Sequence, residues 1–208
     1  MGEGKERAMG KAELKKRRKK ESLLNTAFSL FSSKGFQNTS ISDIVDRAGV
    51  AKGTFYLYFT DKYDIRNKLI AHKAASLFLE VCQALPQNEK LSFEDQILYI
   101  TENMIDRLEA DPTLLRFISK HLSWGVFRNS VISFQDGSDQ SAYEAFVALL
   151  HGSGKQFRDP EIMIYMIIEL VSGAIYNPIL HGQPASLAKI KPYLYDSIRA
   201  QIRLYVEE

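Results

Sequence analysis

The chain has one cysteine, Cys82, in 208 residues. A single thiol excludes an intramolecular disulfide and any zinc site that needs two or more cysteines. Cys82 sits among Leu79, Val81 and Leu85, which predicts a packed, inert thiol, with a redox role as the alternative. Histidine is also scarce. His72, His121, His151 and His181 are far apart and none falls in an HExxH-type spacing, so no metal is predicted. No nucleophile motif, phosphate-cradling glycine loop or paired carboxylates stand out, so neither a cofactor nor an enzyme activity is predicted. Period-two alternation bounded by hairpin turns is missing, which argues against a sheet. Long apolar runs are missing too. The nearest approach is Ile162 to Leu180, interrupted by Glu169 and followed inward by Ser172, Gly173, Asn177 and Pro178. A membrane span needs about 20 predominantly apolar residues, so this stretch reads as a buried helix at a subunit interface. The basic start, Lys5 to Lys20, leads into an amphipathic stretch and not a signal-type apolar segment, which predicts a cytoplasmic protein with no membrane partner.

Net charge is nearly absent, at +2. The balance hides a division. Residues 1–80 carry 16 Lys/Arg and 9 Asp/Glu, a net of +7, and residues 81–208 carry 11 and 16, a net of −5. The basic part suggests a polyanionic partner.

What is present is helical periodicity. Residues 1–12, rich in Gly, Lys and Glu, are expected to be disordered. A first helix is predicted over about 13–34, with Leu23, Leu24, Ala27, Phe28, Leu30 and Phe31 on one face and Gly35 at its C-terminal turn. Ser40 with Asp43 reads as a capping pair for a helix over about 42–48, which Gly49 ends. A short helix follows over about 52–59. Thr60 is the expected N-cap of a helix reaching about Leu85, before Pro86. Further helices are expected over 92–111, 113–128, 140–151, 160–180 and 187–207. Asp159 is the expected cap of the penultimate one, and Pro178 is expected to kink or end it.

Segment 39–62 carries the chemistry. Two short helices joined at Gly49 form a helix-turn-helix pattern. Ala48 lets the helices approach, and Ile44, Val45, Val50 and Phe55 face inward. Lys52, Gly53, Thr54, Tyr56 and Tyr58 remain for the outer face of the second helix, which can enter a major groove. Gly53 removes bulk, Lys52 reaches a guanine edge or a phosphate, and Thr54 and Tyr56 offer hydroxyls. Tyr58, Lys62, Ser40 and Ser42 are placed for backbone phosphates. Lys16, Arg17 and Arg18 in the basic cluster either reach DNA phosphates or form a solvated helix start.

These residues closely resemble the DNA-binding domain of the TetR family of bacterial transcriptional regulators. The likeness runs over about residues 18–70, through Leu30-Phe31-Ser-Ser-Lys34-Gly35-Phe36, Thr39 to Ile44, and Ala48 to Phe59, ending at Lys62. Residues 86–208 show no matching motif. The resemblance implies an all-α fold. Its N-terminal three-helix helix-turn-helix domain, 13–60, is linked by a long helix to a larger ligand-binding and dimerisation domain, 61–208. It implies a homodimeric regulator, in the first place a repressor, on a palindromic double-stranded DNA operator. A small-molecule effector in the C-terminal domain would move the fourth helix and change the spacing of the recognition helices. It also implies a dimer interface on the last two helices. Apolar stripes agree: Ile164, Ile167, Ile168, Val171 and Ile175 on one, and Leu194, Ile198, Ile202 and Tyr205 on the other. The same stripes could instead face their own core. Effector candidates are Tyr99, Asn103, His121, Trp124, Tyr143, Glu169 and Tyr176, with Glu169 foremost as a carboxylate among apolar neighbours. The competing reading is a helical enzyme or carrier with a look-alike helical hairpin, which would gain nothing from exposing Tyr56 and Tyr58.

Overall fold

The computed structural model describes residues 3–86, 91–119 and 142–207, with side chains from Gly10 onward except those of Ser119 and Tyr143. The helices are α1 (Glu3–Ser33), α2 (Ile41–Ala48), α3 (Lys52–Tyr56), α4 (Lys62–Gln83), α5 (Phe93–Ala110), α6 (Pro112–Ser119), α7 (Ala142–Gly152), α8 (Pro160–His181) and α9 (Leu187–Tyr205). No strand is present among the described residues; Phe157 and Val206 make one isolated antiparallel bridge.

The chain divides into two compact units, Met1–Leu69 and Ile70–Glu208. The division falls inside α4, nine residues past the expected boundary at 60/61, because Ile65 and Leu69 in its first two turns are fully buried with the first unit.

In the first unit, α1 buries Leu23, Leu24, Ala27, Leu30 and Phe31. Its contact partner α2 buries Ile44 and Val45, and Phe55 and Phe59 complete the core. The helix begins at Glu3, inside the segment expected to be disordered. Lys, Glu, Arg, Ala and Met dominate that segment, and all are good helix formers with no proline among them. Gly35 adopts φ +85°, as its place after α1 demands. Thr39, almost fully buried, donates its hydroxyl to the Gly35 carbonyl at 2.8 Å and so closes the turn into α2.

Two local expectations need correction. The helix expected over 52–59 is α3, which stops at Tyr56. Phe59 is drawn into the core, and its N–H and that of Tyr58 both donate to the Phe55 carbonyl, at 2.9 and 3.0 Å. The cap of α4 is Asp61, not Thr60: its carboxylate accepts from the N–H groups of Tyr63 and Asp64 at 2.7 and 2.8 Å. Asp159 is the N-cap of α8, as expected, though its side chain makes no capping hydrogen bond. It sits at φ 48°, and its carbonyl accepts from Ile162 and Met163.

The second unit packs α8 against α9 and α6, with α5 touching α6, α7, α8 and α9. Ile105, Leu115, Met163, Ile175, Ile198 and Ile202 are all but inaccessible at its centre. Pro178 is buried within α8 and does not end it; the helix continues to His181, and Gly182 closes it at φ +64°. The proline lies within the last turn, so its missing donor interrupts the ladder only near its end. By length and composition α8 could cross a membrane. Met163, Ile167, Ile175 and Pro178 are buried in the core of this unit.

Candidate nucleic-acid interface

The helix-turn-helix is set by three local devices. Ser40 is extended (φ −98°, ψ 162°) and its hydroxyl accepts from the Asp43 N–H at 3.1 Å, while the Asp43 carboxylate accepts from the Ser40 N–H at 2.7 Å. This reciprocal pair satisfies two orphan donors of α2. Lys34 adds an ion pair to Asp43 at 3.0 Å. The Ser40 N–H first, then its hydroxyl and Lys34, hold the Asp43 carboxyl down at about 2. Gly49 then takes φ +66° at the end of α2, a left-handed conformation that costs a residue with a Cβ about 1–2 kcal/mol. Finally, Phe55 turns fully inward, which fixes the rotation of α3.

With Phe55 inward, the outer face follows from helical geometry. Lys52, Gly53, Tyr56 and Leu57 are exposed, and Thr54 and Tyr58 are half-buried. Tyr56 is 53% exposed and Leu57 78%. A Cβ added at Gly53 would meet nothing within 4 Å, so no neighbour inside the chain requires a glycine there. Ser42 is exposed beside Ser40 at the start of α2.

Lys62 is placed differently from the phosphate contact expected of it. Its ammonium donates to the Phe36 carbonyl at 2.9 Å and approaches the Gln37 carbonyl at 3.5 Å. It also lies 4.4 Å from the centre of the Phe36 ring. Arg66 covers the Phe36 ring at 4.6 Å, and Phe36 meets Tyr63 edge-on at 5.1 Å. Lys62 thus binds the start of α4 to the loop after α1.

Residues 23–69 match the family described as bacterial regulatory proteins, tetR family. The match lies within the N-terminal unit and covers the whole helix-turn-helix. Over 44 residues it is 54% identical to an uncharacterized HTH-type transcriptional regulator, YvdT, of Bacillus subtilis, covering 21% of this chain and 23% of that one. A Shewanella sp. PV-4 protein assigned to the TetR family of transcription regulators superposes with TM-score 0.62, at 19% identity, over 91% of this chain and 99% of that one. The Bacillus subtilis regulator FadR, solved with stearoyl-CoA, does so with TM-score 0.57, at 17% identity, over 88% and 98%. The matches to curated relatives cover half of their length or less. The likeness in fold to these structures therefore extends over most of the chain, whereas the family match is confined to residues 23–69.

The basic cluster is sorted by its own helix. Lys16 pairs with Glu13 at 3.6 Å and Arg17 with Glu21 at 3.7 Å, while Arg18 is exposed.

The residues expected at the effector site and interface are placed less uniformly. Tyr99 donates its hydroxyl to the Ala84 carbonyl at 3.0 Å, and Asn103 donates its amide to the Tyr99 carbonyl at 2.8 Å, so both side chains have intramolecular partners. Tyr176 is half-buried against the second unit's core. His121 and Trp124 lie outside the described residues, as does the Tyr143 side chain. Glu169 needs correction: it is exposed, on the α8 face formed by Ile162, Met166, Glu169, Gly173 and Asn177. A carboxylate in water carries no burial cost and so gives no reason to expect a ligand. Four expected interface residues are corrected too. Ile175, Leu194, Ile198 and Ile202 are buried in the core of their own unit, leaving no surface for a partner. Ile164, Ile168 and Val171 are half-buried. The apolar surface left open on these helices comes from Ile162 and Met166 on α8 and Tyr193 and Leu204 on α9. One polar atom escaped sequence reasoning. The Tyr195 hydroxyl is buried with no hydrogen-bond partner among the described residues. Nothing in the sequence marks it among ten tyrosines.

Proposed function

We propose that the protein is a cytoplasmic, sequence-specific DNA-binding transcriptional regulator. It acts as a homodimeric repressor on a palindromic operator and responds to a small-molecule effector held in the second unit. The outer face of α3 carries the reading: Lys52, Gly53 and Tyr56 stand exposed, and Gly53 has no internal reason to be glycine. Such a face suits the major groove, where Lys52 reaches base acceptors or a phosphate and the missing side chain at Gly53 admits the DNA. Ser40 and Ser42 suit a phosphate at the start of α2. A soluble enzyme has no use for this arrangement.

Selection of bound duplexes from a random library by the purified protein tests the reading. An inverted repeat with half-sites about 34–36 Å apart, or a multiple, is expected. Tyr56→Ala should lower affinity for the selected duplex about tenfold or more with little change in melting temperature, as loss of a base or phosphate contact would. Equal affinity in that variant would remove α3 from the reading.

The effector part rests on Tyr195. A buried hydroxyl without a partner costs about 1–3 kcal/mol, and a ligand that accepts its proton would recover that. Acyl-CoA esters, the class bound by FadR, are the first to screen by thermal shift. An effector acts only through its different affinities for the DNA-competent and DNA-incompetent states. Tyr195→Phe should keep the fold and weaken the effector's release of DNA.

A further inference from the structure

The first ten side chains described in α1, Gly10 to Lys19, are all exposed, and burial begins only at Leu23. This stretch therefore adds nothing to the first unit's core. Its charges are ordered around the helix. Lys16 and Arg17 are engaged by Glu13 and Glu21. Lys11, Lys15, Arg18 and Lys19 fall at i, i+4, i+7 and i+8, within about 100° of the circumference. None of these four makes an ion pair among the described residues, and no carboxylate of α1 between Gly10 and Ser33 lies on their strip. The strip faces roughly 135° away from the buried side of Leu23, Leu24, Ala27, Leu30 and Phe31. From Lys11 to Lys19 it is about 12 Å long, some three to four base-pair rises of a duplex.

We propose that Lys11, Lys15, Arg18 and Lys19 form a second DNA-contact surface, which binds phosphates of the duplex flanking the half-site read by α3. This rests on the DNA-binding reading above and deepens it. Four like charges on one helical strip repel one another and weaken the helix slightly, so they suit a polyanion better than they suit the fold. Each phosphate neutralised releases counterions, and the surface should therefore show in the salt dependence of binding more than in sequence preference. The acid-paired Lys16 and Arg17 take a smaller part, because a phosphate must compete with Glu13 and Glu21 for them.

The experiment uses the full chain and duplexes selected from a random library, made with either ten flanking base pairs or none. Affinity is measured from 50 to 300 mM salt for the wild type, for Lys11→Gln/Lys15→Gln/Arg18→Gln/Lys19→Gln, and for Lys16→Gln/Arg17→Gln. Gln is a good helix former at exposed positions, and circular dichroism checks that α1 persists. On the long duplex the fourfold variant should lose about 0.9 of log–log slope per phosphate contact removed, two or more contacts per subunit. The twofold variant should lose less than half as much. Trimming the flanks should weaken the wild type and leave the fourfold variant unaffected. Equal slopes and equal flank dependence for the wild type and the fourfold variant would overturn the proposal. So would tight binding of the wild type, abolished in the fourfold variant, to vesicles of one part phosphatidylserine and three parts phosphatidylcholine with an unchanged DNA slope; that result would reassign the strip to an anionic membrane. If the wild type enriches no duplex, the DNA-binding reading itself falls, and the flanking-contact proposal falls with it.

Discussion

Lys62 shows how a single side chain can be legible in kind and misplaced in role. The sequence supplies a lysine after the recognition segment, and a phosphate is the natural partner to expect. The structure gives its ammonium the Phe36 carbonyl and ring instead. No sequence spacing reveals that contact, because its partner lies 26 residues away in the loop after α1. Lys62→Met should therefore lower DNA affinity several-fold while leaving the salt slope unchanged, since no phosphate contact is lost. A slope shallower by about 0.9 would restore the phosphate role. Asp43 gives a pH dependence of definite sign. Its carboxyl is held at about 2, below its ordinary 3.8, chiefly by the Ser40 N–H. A depressed folded-state value contributes stability above pH 4, and that contribution fades as pH falls from about 4 to about 2. The melting temperature of Asp43→Asn should lie below the wild type's by a constant amount above pH 5, and the gap should narrow below pH 4. A gap independent of pH would mean the pair is not ionic. Cys82 is partly buried, and burial pushes its thiol up to about 12. It should react with iodoacetamide at neutral pH far more slowly in the native protein than in urea. Comparable rates would reopen the redox alternative.

At the scale of elements, what was legible is what is local. The Ser40–Asp43 pair and the left-handed Gly35 and Gly49 are written within three or four residues of the ends they cap. Gly49→Ala should cost about 1–2 kcal/mol, read as a fall in urea midpoint with unchanged slope, because its φ of +66° penalises a Cβ even though the space is open. Two kinds of information were not local. One is which of two good caps wins: Thr60 and Asp61 are both suitable, and the carboxylate prevails because it reaches two N–H groups of α4 at once. The other is which side of an apolar helix faces inward. α8 carries isoleucine and methionine on every side, so periodicity cannot separate Met163 and Ile167, which are buried, from Ile162 and Met166, which are exposed. On α9 the strip of Leu194, Ile198 and Ile202 is unmistakable, yet an apolar strip says only that something covers it. The cover is the unit's own core.

For the whole molecule, this reassignment changes which substitutions test assembly. Tyr193 and Leu204 on α9 are 70% and 68% exposed, and Ile162 and Met166 on α8 are half exposed. Large apolar side chains left open on two helices that pack together suit burial against a second copy, and a two-fold axis would place the same patch on both subunits. Gly173 on α8 and Ser197 and Ala200 on α9 are small and exposed, and a helix can approach closely over such residues. Tyr193→Asp with Leu204→Asp should then convert a dimer into a folded monomer at about 10 μM, measured by light scattering. Its circular dichroism should stay wild-type, and its DNA affinity should fall as the two half-sites come to be bound separately. Ile198→Asp makes the contrast, since a charge at that inaccessible position should unfold the second unit and not merely separate subunits. A dimer that survives the paired aspartates would place the interface elsewhere. A folded monomer of Ile198→Asp would show that this isoleucine belongs to the interface after all.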